Sequence, residues 1–253
     1  MNFFKKFSTF HKIFFSVFAI INLILFIVPA IQTGSIMNLI SISSLIELIS
    51  TFAGLFAAIY TARGEVACYI WGFINALVYI YIVFTGHMYG QAILYTFFKL
   101  PMQIVGYYAW KKSIENTDGT TVEVKKLTKK NWIVLVITFI LVWIGYGIFL
   151  KFLPSIFQNL FNITISADKE FIVDSLSSTL IIYAVILSTK RFVEQWYFWL
   201  LSNSIGILLF ILSLISSKKI SVDTLSGMII WIQFTLNAIY GFYNWRKLNN
   251  KNA

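Results

Sequence analysis

The sequence predicts an all-α membrane protein of eight transmembrane helices. Two parallel three-helix repeats are joined by a linking helix (3+1+3) and preceded by an extra N-terminal helix. Three observations lead there. Of 253 residues, 58% are hydrophobic and 18% aromatic, while only 12% are charged, against about 25% charged in soluble domains. Eight apolar stretches of roughly span length, about 20 residues, can be drawn, with basic residues sorted to one side of them. Two polar-aromatic motifs recur at a nearly constant offset. The same composition excludes a collagen, a disordered tail and a disulfide scaffold, since Pro is 3, Cys is 1 and Phe is 25.

The stretches run over 13–31, 39–60, 67–85, 89–110, 132–150, 172–189, 196–216 and 222–245. Lys5, Lys6 and Lys12 ahead of the first give it some features of a signal peptide, with Pro29-Ala30 near a cleavage site. At 13–30 it exceeds a 7–15-residue signal core, so a retained helix is expected. Of the 20 lysines and arginines, 15 fall on the side of the N-terminus when eight spans are counted. Four (Lys151, Lys169, Lys218, Lys219) fall on the other side, and Lys99 lies within the fourth span. By the positive-inside rule both termini are cytoplasmic, in a multi-pass protein of the cell membrane. The net charge of +10 then reads as orientation and attraction to anionic lipid, with no nucleic-acid partner. The inner segment 111–131 holds a turn signal at Asp118-Gly119 and is too short for a domain. The outer segment 151–171 carries Phe152, Leu153, Ile156, Phe157, Leu160 and Phe161, which predict a short helix lying on the interface.

Thr61, Arg63, Tyr69, Trp71 and Asn75 recur 128 residues on as Thr189, Arg191, Tyr197, Trp199 and Asn203. The stretch Gly106-Tyr107-Tyr108-Ala109-Trp110-Lys111-Lys112 recurs as Gly241-Phe242-Tyr243-Asn244-Trp245-Arg246-Lys247, at an offset of 135. Interfacial Arg, Tyr and Trp belong to any membrane belt. Asn75 and Asn203, each one turn deeper than its Trp, do not, and are costly unless bonded. Corresponding helices are four spans apart, so the copies run parallel, as in transporters built about an axis along the membrane normal. The chain divides into an extra helix (1–38), a first repeat (39–110), an inner loop, linking helix and outer segment (111–171), a second repeat (172–245) and a cytoplasmic tail (246–253).

At these residues the chain resembles the PnuC-type nicotinamide riboside transporter family. The resemblance covers about 45–250. It rests on Gly54, on Trp71-Gly72-Phe73-Ile74-Asn75, on Tyr89-Gly90 and on Leu100-Pro101-Met102-Gln103 with Gly106-Tyr107. In the second half it rests on Asp174-Ser175, on the block from Lys190 to Trp199 and on Asn237-Ala238-Ile239-Tyr240-Gly241. It implies a 3+1+3 fold similar to a duplicated SWEET sugar transporter. It also implies facilitated diffusion of nicotinamide riboside, trapped by phosphorylation through a cytoplasmic kinase. Related branches carry thiamine, riboflavin or deoxynucleosides. The first span and Lys99 depart from the family pattern. A channel or an intramembrane enzyme is the remote alternative. Cys68 stands alone, His11 and His87 are isolated, and no phosphate-binding Gly-rich motif occurs, so neither metal nor cofactor is expected. A homo-oligomer stays open.

Trp196, Trp199 and Asn203 share one helix face, where rings can stack a flat base and an amide can hydrogen-bond it. Trp71 and Asn75 are their repeat equivalents. Gln91 and Gln103, twelve apart on the fourth span, share a broad face that Tyr95 can join, and Asn237 and Tyr240 on the last span complete the candidate set. Each has a plainer reading, as belt aromatic or interhelical amide. Lys99 either faces the cavity or snorkels to the interface, and the second is expected, because an ammonium in the cavity would repel a cationic nicotinamide ring. Lys190 and Arg191 are expected to be topology anchors.

The charge partition predicts that cysteines at Ser113 and Ser217 label from opposite sides, the first from inside. Inside-only labelling of Ser217→Cys would refute the eight-span count.

Overall fold

Lipid offers a backbone no hydrogen bonds, so long apolar runs coil into helices. The computed structural model describes residues 7–34, 41–117, 119–168, 170–217 and 222–251. Its helices are α1 (Thr9–Thr33), α2 (Ile42–Arg63), α3 (Ala67–Thr85), α4 (Tyr89–Leu94), α5 (Leu100–Asn116), α6 (Lys129–Phe161), α7 (Phe171–Thr189), α8 (Gln195–Ser217) and α9 (Val222–Lys251). A π-helical turn, Tyr95–Lys99, joins α4 to α5, so the described residues form eight rods. Among the described residues the only β pairing outside helices is an isolated bridge between Lys125 and Phe192. Five rods are by themselves long and apolar enough to cross a membrane: α3, α6, α7, Thr9–Val28 of α1 and Ser44–Arg63 of α2.

The ends follow local chemistry. Ser41 Oγ accepts from the Ser44 amide at 3.2 Å to start α2, and Thr128 Oγ1 accepts from the Asn131 amide at 3.2 Å to start α6. Gly64 (φ 71°) ends α2, and Asn162 (φ 55°) ends α6, glycine and asparagine being the residues that take this conformation most readily. The separate interfacial helix expected in 151–171 does not form. α6 runs 33 residues through Pro154 to Phe161, roughly 50 Å, and overshoots a hydrocarbon core of about 30 Å. Leu150 and Leu153 are buried, and Leu150 packs on Gly90, its methyl 2.5 Å from where a Cβ there would sit. α9 likewise continues to Lys251, through most of the segment expected to be a tail. Lys5, Lys6, Asp118, Lys169, Lys218, Lys219 and residues 39–40 lie outside the described residues.

α2, α3, α5, α7, α8 and α9 pack successively, and α9 returns to α2, closing a ring of six. α1 lies outside, across α2 and α9, and α6 lies outside against α7. α1 is held by Phe14 and Phe18 against Leu55 and Ile59, and by Asn22 Nδ2 donating to Gln233 Oε1 at 3.0 Å. The exposed Ile133, Ile137, Ile140, Leu141 and Ile144 of α6 form a lipid-facing surface.

The end of the ring that carries Arg63 and Arg191 is plugged by aromatic side chains. Trp110 lies 5.6 Å from Trp245, Trp196 lies edge-on to Trp245 at 5.9 Å, and Tyr69 lies edge-on to Trp110 at 5.0 Å, centroid to centroid. Trp110 Nε1 donates to the Ser188 carbonyl at 2.9 Å, and Trp245 Nε1 donates to the Thr61 carbonyl at 2.8 Å. The segment between α5 and α6 straps over this plug. The Val122 amide donates to the Gly64 carbonyl at 2.9 Å, the Lys125 amide donates to the Arg191 carbonyl at 2.8 Å, and Val122 and Val124 are buried. The Arg191 guanidinium bonds Ser113 Oγ and stands 3.6 Å from Glu123, so its charge anchors the strap.

Two glycines make the plug possible. A Cβ on Gly106 would sit 2.1 Å from the Tyr69 ring, and one on Gly241 would sit 2.3 Å from the Trp196 ring. Gly145 of α6 has nothing within 4 Å of that position. Gly241→Ala should therefore destabilise by about 1–3 kcal/mol, as overpacking does. Gly145→Ala should be neutral or stabilising by up to about 1 kcal/mol. Thermal unfolding in one detergent checks both, and equal melting temperatures would show that the plug is loosely packed.

Candidate functional site

The ring encloses a cavity of about 200 Å³. Each wall follows from a stripe of residues at helical spacing. Cys68, Gly72 and Asn75 face it from α3, and Trp196, Trp199, Ser202 and Asn203 face it from α8. α2 contributes Gly54, Ala57, Ala58 and Thr61, α7 contributes Ile181, Val185 and Ser188, and α9 contributes Trp231, Phe234, Asn237 and Ala238. Tyr95, Lys99 and Gln103 enter from the π turn and α5. The floor is the aromatic plug, through Tyr69 and Trp196. Asn75 and Asn203 each lie eight residues into their helices, about 12 Å along the axis.

Of the ten residues singled out from sequence, seven line this cavity: Trp196, Trp199, Asn203, Asn75, Tyr95, Gln103 and Asn237. Trp71, Gln91 and Tyr240 lie elsewhere. Trp71 lies at the edge of the cavity stripe of α3, about 40° round from Asn75 and about 100° from Gly72, and packs on Phe56, centroids 4.6 Å apart. Gln91 donates to Ser178 Oγ at 3.3 Å and lines a second pocket of about 360 Å³ with Tyr79, Asp168 and Asp174. Gln91 and Gln103 are twelve residues apart, about 18 Å along the rod, so a shared face does not bring them to one cavity. Tyr240 stacks on Phe10 at 4.0 Å, donates to Ser8 Oγ at 3.1 Å, and lines a pocket with Arg63 and Glu65 at the basic end.

The two repeat-related asparagines differ in what they hold. Asn75 Nδ2 donates to the Ser50 carbonyl at 2.9 Å and to Ser50 Oγ at 3.2 Å, so it ties α3 to α2. Asn203 is 4% exposed and has no hydrogen-bond partner among the described residues. Asn237 Nδ2 donates to the Ala58 carbonyl at 2.9 Å, while its Oδ1 is buried without a partner. Gln103 packs end-on against Gly72, where a Cβ would lie 2.3 Å from Gln103 Oε1 and force that amide to shift. Its Nε2 donates to the Lys99 carbonyl at 3.2 Å.

Lys99 does not snorkel. It lines the cavity, with Nζ donating to Tyr95 Oη at 2.9 Å and standing 4.2 Å from the centre of the Tyr95 ring. Tyr95 in turn meets Tyr79 at 4.4 Å, and this aromatic pair lies between the central cavity, lined by Tyr95, and the second pocket, lined by Tyr79. Sequence reading missed Trp231 and Ser202. Trp231 had a readable companion in Gly206, whose Cβ would lie 2.4 Å from the indole. No His/Cys/Asp/Glu cluster able to hold a metal occurs among the described residues. Three indoles, four amides and one ammonium around so small a space suit a flat, polar molecule bound by stacking and hydrogen bonds.

A family model described as nicotinamide mononucleotide transporter matches residues 44–247. The nicotinamide riboside transporter PnuC of Haemophilus influenzae is 27% identical over 206 residues, 81% of this chain and 80% of its own. That of Neisseria mucosa is 23% identical over 208 residues, covering 81% and 73%, and that of Escherichia coli is 25% identical over 211 residues, covering 75% and 85%. The crystal structure of the vitamin B3 transporter PnuC superposes with a TM-score of 0.72 at 21% identity, over 98% of this chain and 94% of that one. That overlap takes in α1, which the family match leaves out. With a family match over most of its length and several helices able to span a bilayer, the chain is a multi-pass membrane protein that belongs to the nicotinamide mononucleotide transporter family.

Proposed function

We propose that this chain carries a pyridine nucleoside of the nicotinamide riboside class across the cell membrane by facilitated diffusion, binding it in the central cavity. The observation that carries the reading is Asn203: a buried amide, one turn beyond Trp199, facing the cavity with no partner among the described residues. Leaving such a group unpaired costs about 1–3 kcal/mol, and a substrate that hydrogen-bonds it removes that cost. Trp199 and Trp196 stack the base, and Asn237 Oδ1 and Gln103 take ribose or ring substituents. The relatives named above, each a nicotinamide riboside transporter, support the substrate class.

The transport cycle rests on two repeats, α2, α3 and α4–α5 against α7, α8 and α9, with α6 linking them. Support comes from paired contacts. Trp110 of one half bonds the last turn of α7, and Trp245 of the other half bonds the last turn of α2. Rocking of one half on the other would open the cavity alternately to each side. The basic end faces the cytoplasm, with both termini. No carboxylate lines the cavity among the described residues, so no proton carrier is at hand. Net uptake then depends on a cytoplasmic kinase that phosphorylates the arriving nucleoside.

In purified, correctly inserted protein, Asn203→Leu should weaken nicotinamide riboside binding by roughly 5- to 150-fold, the range set by an unpaired buried group. Trp199→Phe should cost less than Trp199→Ala, because a smaller ring still stacks. Uptake into proteoliposomes should ignore protonophores. Unchanged affinity in folded Asn203→Leu would remove the site, and tighter binding of thiamine, riboflavin or a deoxynucleoside would replace the substrate.

A further inference from the structure

Lys99 is the one charged side chain among the described residues that line the central cavity. Its ammonium is held inside by Tyr95, through the 2.9 Å bond to the phenol and the 4.2 Å approach to the ring. Neither contact cancels the charge. The remaining walls are indoles, amides, hydroxyls and aliphatic groups, so the cavity carries an uncompensated positive charge in apolar surroundings.

That charge acts on the substrate. The ring of nicotinamide riboside is a pyridinium cation with a neutral amide. Bringing it into a cavity of about 200 Å³ sets two positive charges within a few ångströms, where little water screens them. A pyridine nucleoside with a carboxylate in place of the amide is a zwitterion. Its carboxylate accepts a charge-assisted hydrogen bond from Lys99 Nζ, while its cationic ring lies against the faces of Trp199 and Trp196. The ribose hydroxyls remain for Asn203 and Asn237. The same small volume favours a nucleoside over a nucleotide, whose phosphate would need further space.

We infer that Lys99 makes this cavity selective for the carboxylate form of a pyridine nucleoside, nicotinic acid riboside, over the cationic amide form. The inference rests on the central cavity being the pyridine-nucleoside site.

The test is calorimetric titration of the purified full-length chain with nicotinic acid riboside, nicotinamide riboside and nicotinamide mononucleotide at one pH and ionic strength. Nicotinic acid riboside should bind at least ten-fold more tightly than nicotinamide riboside. Lys99→Met should abolish or reverse that ratio, Lys99→Gln should do the same should the methionine variant fold poorly, and Lys99→Arg should keep it. Equal or tighter binding of nicotinamide riboside by the unaltered chain overturns the inference, as does a ratio unchanged in folded Lys99→Met or Lys99→Gln. In both cases the site reading stands, provided Asn203→Leu still weakens binding. Tightest binding of the mononucleotide assigns the ammonium to a phosphate and overturns the carboxylate. Failure of every pyridine nucleoside to bind removes the site reading and this inference with it.

Discussion

The last turn of a helix leaves its final carbonyls without partners, and α2 and α7 end deep among other helices. Turn amides take one lone pair of the Thr61 and Ser188 carbonyls, Gly64 donating to the first at 3.0 Å and Arg191 to the second at 2.9 Å, and in an apolar setting the other lone pair of each still calls for a further donor. Trp245 supplies it to Thr61, and Trp110 supplies it to Ser188. Indole suits the task, being a donor with no acceptor to satisfy, on a ring large enough to fill the space around it. Both tryptophans are fully buried. Asn237 and Asn244 of α9 donate to further α2 carbonyls, of Ala58 and Ala62, at 2.9 Å. The hydrogen bonds that finish α2 and α7 thus join each to a rod from the opposite half of the chain, and they close the ring that makes a cavity.

Helices in lipid gain little from apolar burial and depend on close packing and interhelical hydrogen bonds. Close packing here means a ring seated on a glycine: Tyr69 on Gly106, Trp196 on Gly241, Trp231 on Gly206. The first two seats are near-equivalent positions of the two motifs that recur in the sequence. The scaffold is therefore paired while the site is not. Trp199 faces the cavity, but Trp71, its counterpart 128 residues earlier, turns to Phe56, which itself stacks against Phe15 of α1 at 5.3 Å. Asn203 is open, but Asn75 is bound to α2. The extra helix and its aromatic partners accompany this asymmetry, since Phe56 bridges α1 and α3.

The rods were legible because their signal is composition over about 20 residues, and the motif at Trp199 and Asn203 was legible because two polar-aromatic residues at helical spacing stand out in an apolar background. The three misplaced candidates fail for reasons that spacing does not carry. Trp71 and Asn75 share a nominal face, yet Gly72 beside them opens a slot that Gln103 fills, so α3 meets the cavity through Gly72 and Asn75. Tyr240 is taken by Phe10 of α1 and by Ser8 just before that helix, which shares no repeat with it. Gln91 lies about 18 Å along the rod from Gln103, on the far side of the Tyr79–Tyr95 pair, and spacing round a helix does not carry that depth. The continuous course of α6 through Pro154 was hidden because proline usually marks a stop.

The π turn and Lys99 belong together. Tyr95, Lys99 and Gln103 are spaced by four, and in a regular α-helix each step of four drifts by about 40°, carrying the third residue well away from the first. A π turn winds more residues per turn, and Leu100 donates back to Tyr95 across it, so all three stay on the cavity side. Pro101, early in α5, cannot donate a backbone bond, and thus lies where the bonding pattern is already changing. A lysine in mid-span is costly in lipid. Here the helix defect turns it inward, and Tyr95, four residues earlier, holds its ammonium. The same defect directs Gln103 into the slot over Gly72, so one local departure from α geometry sets both the charge and one of the amides of the site.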